Sequence, residues 1–180
     1  MNIKTPLTSS VIKKLKAGDL AYLSGVIYAA RDKAHKRVVD LIAKDRELPF
    51  ELEGSIVYYC GPTPANKGEI IGSCGPTTSS RMDNYAPLLC RLGLGATIGK
   101  GEISEDVVSA IKRYKGVYFI TWGGCGAYLN SFIKSSKIVA FKELGAEAVR
   151  KLEVEKFPLV VAVDSHGNKI WDKRSKNEIR

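Results

Sequence analysis

Apolar and polar positions along the chain predict strands and helices in alternation. The stretch "GDLAYLSGVIYAA" (18–30) clusters β-branched and aromatic residues behind a Gly-Asp turn and predicts a strand. The next, "RDKAHKRVVDLIAKD" (31–45), sets Val38, Val39, Leu41 and Ile42 among strong helix formers and predicts an amphipathic helix. Two short apolar runs bounded by glycines, "SIVYYCG" (55–61) and "GEIIGSCG" (68–75), predict strands joined as a hairpin or a crossover around the loop "PTPANKG".

Further on, "DNYAPLLCRLG" (83–93) predicts a helix with Asp83 or Asn84 as N-cap, Pro87 in its first turn and Gly93 at its end. "ATIGKG" (96–101) predicts a strand running into a turn, and "SEDVVSAIKRYKG" (104–116) a helix capped by Ser104 with Val107, Val108 and Ile111 on one side. "VYFITW" (117–122) is the plainest strand, and the glycine turn "GGCG" (123–126) leads into a further helix. The remainder predicts a strand at "IVAFKEL" (138–144), a short helix at "GAEAVRKLEV" (145–154) and a hairpin at "PLVVAVDSHGNKIW" (158–171) with "SHGN" at its tip. With no repeat and no obvious linker, one α/β domain over residues 1–180 is expected.

Composition narrows the class. A chain of 180 residues can bury a sizeable core, and 44% hydrophobic with 26% charged residues is the balance of a folded, soluble protein. No apolar run approaches the ~18 residues of a membrane span. The segment "MNIKTPLTSSVIKKLKAGD" has no continuous apolar stretch of the secretory kind, so a cytoplasmic location is expected. Cys60, Cys74, Cys90 and Cys125 are widely and irregularly spaced without a C-x-x-C pair, which speaks against a metal finger or a self-contained iron–sulfur site and for reduced thiols.

The formal charge of +9 admits nucleic acid, an acidic protein or a small anionic substrate as partner. Lysines and arginines are spread from "KKLK" (13–16) to "DKRSKNEIR" (172–180), without an aromatic RNA-binding motif or a recognition helix. Most are expected to form a solvated surface. A non-catalytic basic binding module is the alternative from another class.

Candidate chemistry gathers in "CGPTTSSRMDNY" (74–85), where Thr77, Thr78, Ser79, Ser80 and Arg81 follow a Gly-Pro turn. Free backbone N–H groups, hydroxyls and a guanidinium fork at one point suit a carboxylate or a phosphate; the same residues would also serve as a plain helix cap. Arg31 and His35, at i, i+4 spacing after a strand, share a helix face at an edge where open α/β sheets bind ligands, or belong to a solvated basic helix start. Lys100 lies between two glycines, where backbone and ammonium can both approach a ligand, or simply in a surface turn. His166 in "DSHGN" reads as turn chemistry.

Taken in order, "ARDKAHKR", "YYCGPTPA", "IGSCGPTTSSRMD", "IGKG", "WGGCGAY" and "KLEVEKFPLVVAVDSHGN" cover nearly the whole chain. Together they resemble the β subunit of the class I fumarate hydratase and L(+)-tartrate dehydratase family. The resemblance implies a swivelling β/β/α domain, a mixed sheet core flanked by helices. It implies a two-part hydro-lyase whose α subunit carries a [4Fe–4S] cluster through three cysteines, so that this chain binds no metal and is active only in a hetero-oligomer with that α subunit.

The implied reaction is the reversible hydration of fumarate to (S)-malate, with dehydration of L(+)-tartrate to oxaloacetate as the alternative on a similar four-carbon dicarboxylate. By the same resemblance Arg31, Arg81 and Lys100 grip the substrate carboxylates, and Thr77 is the catalytic base. Thr78, Ser79 and Ser80 shape the pocket. His35 has a counterpart in the family, and Cys125 stands in a glycine-rich turn that often holds small residues.

Overall fold

The structure, a computed structural model, describes residues 1–172. The basic residues of the closing run beyond Asp172 lie outside the described residues. In chain order the elements are β1 (Asn2–Lys4), α1 (Ser9–Ile12), β2 (Leu20–Ala29), α2 (Asp32–Ala43), β3 (Ile56–Tyr58), a 3₁₀ turn (Ser79–Met82) and α3 (Ala86–Arg91). There follow β4 (Ala96–Gly99), α4 (Glu105–Tyr114), β5 (Val117–Ile120), α5 (Gly126–Asn130), β6 (Ile133–Ala140), a second 3₁₀ segment (Lys142–Glu147) and β7 (Val149–Val163). The fold is mixed α/β, as expected.

The sheet runs in the order β1-β2-β3-β4-β5-β7-β6, with β2 also paired to β7. Strands β1 to β5 pair in parallel, while β7 is antiparallel to β2, β5 and β6. The ladder from β2 through β3, β4 and β5 therefore returns to β2 by way of β7. One face of these strands meets an apolar interior that includes Leu23, Ile56, Tyr58, Ile98, Phe119, Leu152, Phe157 and Val161. The other face is covered by helices. Val57 and Tyr59 pack with Ala34 and Val38 of α2, and Tyr118 with Val107, Val108 and Ile111 of α4. Burial on both sides explains why "SIVYY" and "VYFI" are continuous apolar runs rather than alternating ones.

Helix α4 has Glu105 and Asp106 in its first turn and Lys112 and Arg113 in its last, the charge order that opposes the helix dipole. Ser104 occupies its N-cap position but makes no side-chain cap bond; its backbone N–H instead donates to Asp83 Oδ2 at 2.8 Å, tying α4 to the loop before α3.

Several expectations need correction. The run 68–75 forms no strand: Thr63 N–H donates to Ser73 O at 3.0 Å, and a Cβ on Gly72 would collide with Thr63, so the loop folds on itself. Of the helix expected over 145–154, residues 145–147 close the second 3₁₀ segment and 149–154 start β7, in which Leu152 and Val154 point inward and Lys151, Glu153 and Glu155 outward. Pairing on both sides, with β2 and β6, overrides the helical preference of Ala, Glu, Lys and Arg. The expected hairpin keeps its turn, but its second arm is reduced to one bridge between Val163 and Lys169. Strand β1 and helix α1 had no counterpart in the sequence reading. Among the described residues no helix is long and apolar enough to cross a membrane.

Candidate active site

Parallel strands that end together bring their following residues to one edge. Ala29 is in register with Tyr58, Tyr58 with Ile98, and Ile98 with Phe119. Two residues beyond that row stand Arg31, Cys60, Lys100 and Thr121. This is the carboxyl edge of the parallel strands, where α/β sheets characteristically bind ligands.

The hydroxyl run is stitched into the same edge by its backbone. Thr77 N–H donates to Tyr59 O at 2.7 Å, and Thr77 O accepts from Lys100 N–H at 3.3 Å. Ser79 N–H then donates to Lys100 O at 3.0 Å, and Thr78 bridges Lys100 in parallel fashion. The run thus lies across the ends of β3 and β4. Thr77 is half-buried and Thr78 exposed. Ser79 is fully buried, with Oγ accepting from the Tyr118 hydroxyl at 2.8 Å; it fastens the run from beneath. Gly99 leaves the room for this, since a Cβ there would collide with Ser79 Oγ.

Arg31 occupies the N-cap position of α2 with extended backbone and no side-chain cap bond. Its carbonyl accepts from His35 N–H at 2.8 Å and from His35 Nδ1 at 2.9 Å. Because a carbonyl only accepts, Nδ1 carries the proton, and the buried Nε2 has no hydrogen-bond partner. The His35 ring meets Tyr59 edge-on at 5.3 Å and stacks on Tyr85 at 5.9 Å. Burial pushes the imidazole down to about 4, only partly opposed by the Arg31 carbonyl and the Asp32 charge.

Asp32 joins the two arginines. Arg81 Nε donates to Asp32 Oδ1 at 2.8 Å, and Asp32 Oδ2 lies 3.7 Å from Arg31 Nε. Neither Arg31 Nε nor Asp32 Oδ2 has a hydrogen bond, although both atoms are buried. The Arg31 side chain runs against Gly61, where a Cβ would come within 2.7 Å of its Cδ.

The turn after β5 completes the edge. The Lys100 side chain passes Gly123, where a Cβ would lie 3.3 Å from its Cδ. At the start of α5, Gly126 backs onto the Cys74–Gly75 turn: Cys74 N–H donates to Gly126 O at 3.1 Å, and a Cβ on Gly126 would come within 2.8 Å of Gly75 N.

The six expected site residues therefore share one edge, five of them half-buried or exposed and Ser79 beneath. Sequence reasoning missed Asp32, which stands beside Arg31 in the first turn of α2, and the buried hydroxyl of Tyr118. A carboxylate adjacent to a candidate anion-binding arginine was the available signal for Asp32. No signal existed for Tyr118. His166 is turn chemistry as expected, its N–H donating to Asp164 Oδ1 at 2.9 Å. Burial would raise the Asp164 carboxyl, but bonds from Asn168 and from the Ala17, His166 and Asn168 N–H groups outweigh it and hold it below the ordinary range.

The thiols of this chain do not fit an iron–sulfur cluster. Cys60 and Cys74 meet at 2.8 Å between sulfurs, but both are buried in the apolar interior. The hydrogen bond with Cys74, and then burial, push the Cys60 thiol well above its usual value, whereas a metal ligand must be a thiolate. Cys90 packs in a different cluster beside α4, and Cys125 is exposed. Among the described residues no three His, Cys, Asp or Glu side chains converge on a point that could hold a metal ion.

Comparison with known proteins identifies the family to which the chain belongs. The chain is 42% identical over 176 residues to a putative L(+)-tartrate dehydratase subunit beta of Methanocaldococcus jannaschii, covering 94% of this chain and 90% of that protein. It is 33% identical over 184 residues to a putative fumarate hydratase class I of Geobacillus stearothermophilus, covering 99% of this chain but 35% of that protein. It is 40% identical over 149 residues to the anaerobic fumarate hydratase class I of Escherichia coli, covering 81% of this chain and 27% of that protein. The chain thus spans about a third or less of the fumarate hydratases it matches. The family model described as Fumarase C-terminus matches residues 1–174, and the chain belongs to that family.

Proposed function

We propose that this chain is the β subunit of a heteromeric hydro-lyase that interconverts fumarate and (S)-malate. It would act as one swivelling β/β/α domain in the cytoplasm and be active only with an α subunit that carries the [4Fe–4S] cluster. The observation that carries the reading is the joining of Arg31 and Arg81 through Asp32 at the strand edge that also presents Thr77 and Lys100. The return of the ladder to β2 supports the domain type, and four free cysteines support a reducing compartment. The coverage of a third or less of the fumarate hydratases supports a separate partner that supplies the rest.

The chemistry asks for these residue types. Removing a proton from the carbon next to a carboxylate builds up a doubly charged aci-carboxylate. Fixed cations stabilise that charge more in the transition state than in the ground state. Arg31, Arg81 and Lys100 hold the two carboxylates, and Thr77 takes the proton. A threonine hydroxyl is a weak base, so Arg81 and Lys100 must favour its alkoxide. Thr78 borders the substrate, and Ser79, fastened to Tyr118, holds the run in register. The departure of the hydroxyl is left to the partner.

Dehydration of L(+)-tartrate is the second reading, favoured by the tartrate dehydratase subunit that matches this chain over nearly the full length of both. One experiment separates them: initial rates on fumarate, (S)-malate and L(+)-tartrate for the complex assembled anaerobically with its larger subunit. Arg81→Ala and Thr77→Ala should each lower kcat/KM by about 10²–10³ with assembly intact. Full turnover by either variant would remove the site assignment. Salt-dependent nucleic-acid binding by the chain alone, indifferent to Arg81→Ala, would favour the basic binding module instead.

A further inference from the structure

Apolar side chains left in water are unevenly spread over this molecule. Among the described residues eight large hydrophobic side chains are exposed, and four of them, Leu20, Tyr22, Trp122 and Tyr128, line one groove of about 350 Å³. Their exposures are 55%, 44%, 45% and 58%, and Pro158 and the exposed Cys125 are among the other residues that line it. Apolar patches of this kind mark interaction surfaces, and Trp and Tyr in a shallow groove are the side chains that anchor protein interfaces.

Two observations say what covers it. The first is where additional chain would arrive. Met1 lies on the rim: its amino group donates to Leu20 O at 2.6 Å, and its carbonyl accepts from Tyr22 N–H at 2.9 Å. In the Geobacillus stearothermophilus relative 99% of this chain is matched, yet the match is only 35% of that protein, and the family is a fumarase C-terminus. The greater part of such a fused relative therefore precedes β1 and is delivered at the edge of this groove. The second is continuity with the strand edge. Trp122 is followed by Gly123, against which the Lys100 side chain lies, and Cys125 is followed by Gly126, which backs onto Gly75, two residues before Thr77. A body seated in the groove would border the cationic edge.

We propose that this groove is the docking surface for the larger, cluster-bearing subunit, the counterpart of the part that precedes this region in the fused fumarate hydratases. The proposal rests on the functional reading above and gives that site its partner-facing wall. Docking there closes the strand edge from the side of Lys100 and removes Trp122, Cys125 and Tyr128 from water.

The test is anaerobic coexpression of the whole chain with the larger subunit of the same organism, followed by sedimentation and by timed iodoacetamide labelling of Cys125. In the wild-type complex Cys125 should alkylate at least about tenfold more slowly than in the chain alone. Tyr128→Asp, at an exposed position with circular dichroism as fold control, should weaken assembly about tenfold or more. Assembly of Tyr128→Asp at wild-type affinity, equal Cys125 labelling in chain and complex, or no complex at all would each overturn the proposal. So would a dimer of the chain alone that Tyr128→Asp dissolves, because a second copy would then be the occupant. The two readings fail separately. A complex that depends on Tyr128 but turns over neither fumarate, (S)-malate nor L(+)-tartrate keeps the docking surface and removes the activity. An active complex indifferent to Tyr128→Asp does the reverse.

Discussion

Asp32 determines what each of two guanidiniums has left to offer a substrate. It holds Arg81 through Nε at 2.8 Å, which leaves both terminal nitrogens of that fork without a hydrogen bond among the described residues. A fork anchored at its inner nitrogen can still take a carboxylate with its outer pair. Since Arg81 is half-exposed, the ion pair is worth about 0–1 kcal/mol of stability, and its value is in orientation. Asp32→Ala should therefore leave the urea midpoint nearly unchanged while raising KM for the dicarboxylate several-fold, measured by steady-state kinetics of the assembled enzyme. A loss of stability without a change in KM would show that Asp32 only holds the fold.

His35 gives a second residue-scale expectation, with a definite sign. Its folded value is about 4 against 6.5 for a free imidazole, so above pH 6.5 both native and unfolded chains carry it neutral. As pH falls below 6.5 the unfolded chain takes up a proton that the native chain refuses, and stability drops until about pH 4. The loss at pH 5 is about 2 kcal/mol. Urea unfolding at pH 7 and pH 5 should show this decline in the wild type and a smaller one in His35→Gln. Equal declines would place the acid sensitivity elsewhere.

At the scale of elements, close backbone approach decides what the glycines near the site can become. Gly126 starts α5 hard against Ser73, Cys74 and Gly75, and nothing there is a flexible side-chain end that could swing clear except Ser73. Gly126→Ala should cost about 1–3 kcal/mol, read as a lower urea midpoint, by forcing α5 away from the turn that precedes Thr77. A neutral substitution would mean that this contact yields easily.

The elements also show which patterns a sequence transmits. Helices α2 and α4 and strands β2, β3, β4 and β5 were legible because each couples a period to a boundary: an apolar face behind Arg31 or Ser104, or an apolar run between glycines. The first half of β7 was not, because "GAEAVRKLEV" is rich in helix formers and its alternation of Leu152 and Val154 with Lys151, Glu153 and Glu155 is short. What makes it a strand is the presence of β2 and β6 on either side, which no local window contains. The site divides the same way. Thr77, Arg81 and Lys100 were legible as residue types in unusual company. The bond from Arg81 to Asp32 and the Tyr118 hydroxyl under Ser79 depend on segments far apart in sequence, although Asp32 itself stands beside Arg31.

For the molecule as a whole, the two surfaces argued above differ in physics, and salt should separate them. The strand edge is cationic and belongs to a chain of formal charge +9, so under the proposed function its attraction for a dicarboxylate would be largely Coulombic and partly long-ranged. Exposed charges interact over a Debye length of about 10 Å at 0.1 M salt, shrinking to about 3 Å at 1 M. The groove of Leu20, Tyr22, Trp122 and Tyr128 is apolar, and burial of such surface is not weakened by screening. Raising salt from about 0.05 to 0.5 M should thus increase KM for the dicarboxylate several-fold while the dissociation constant of the two subunits changes by less than about twofold. Kinetics and sedimentation on the same preparation measure both. Had assembly been the salt-sensitive step and KM the indifferent one, charge would have to be reassigned from the substrate edge to the subunit interface, and the division of labour between the two surfaces would be reversed.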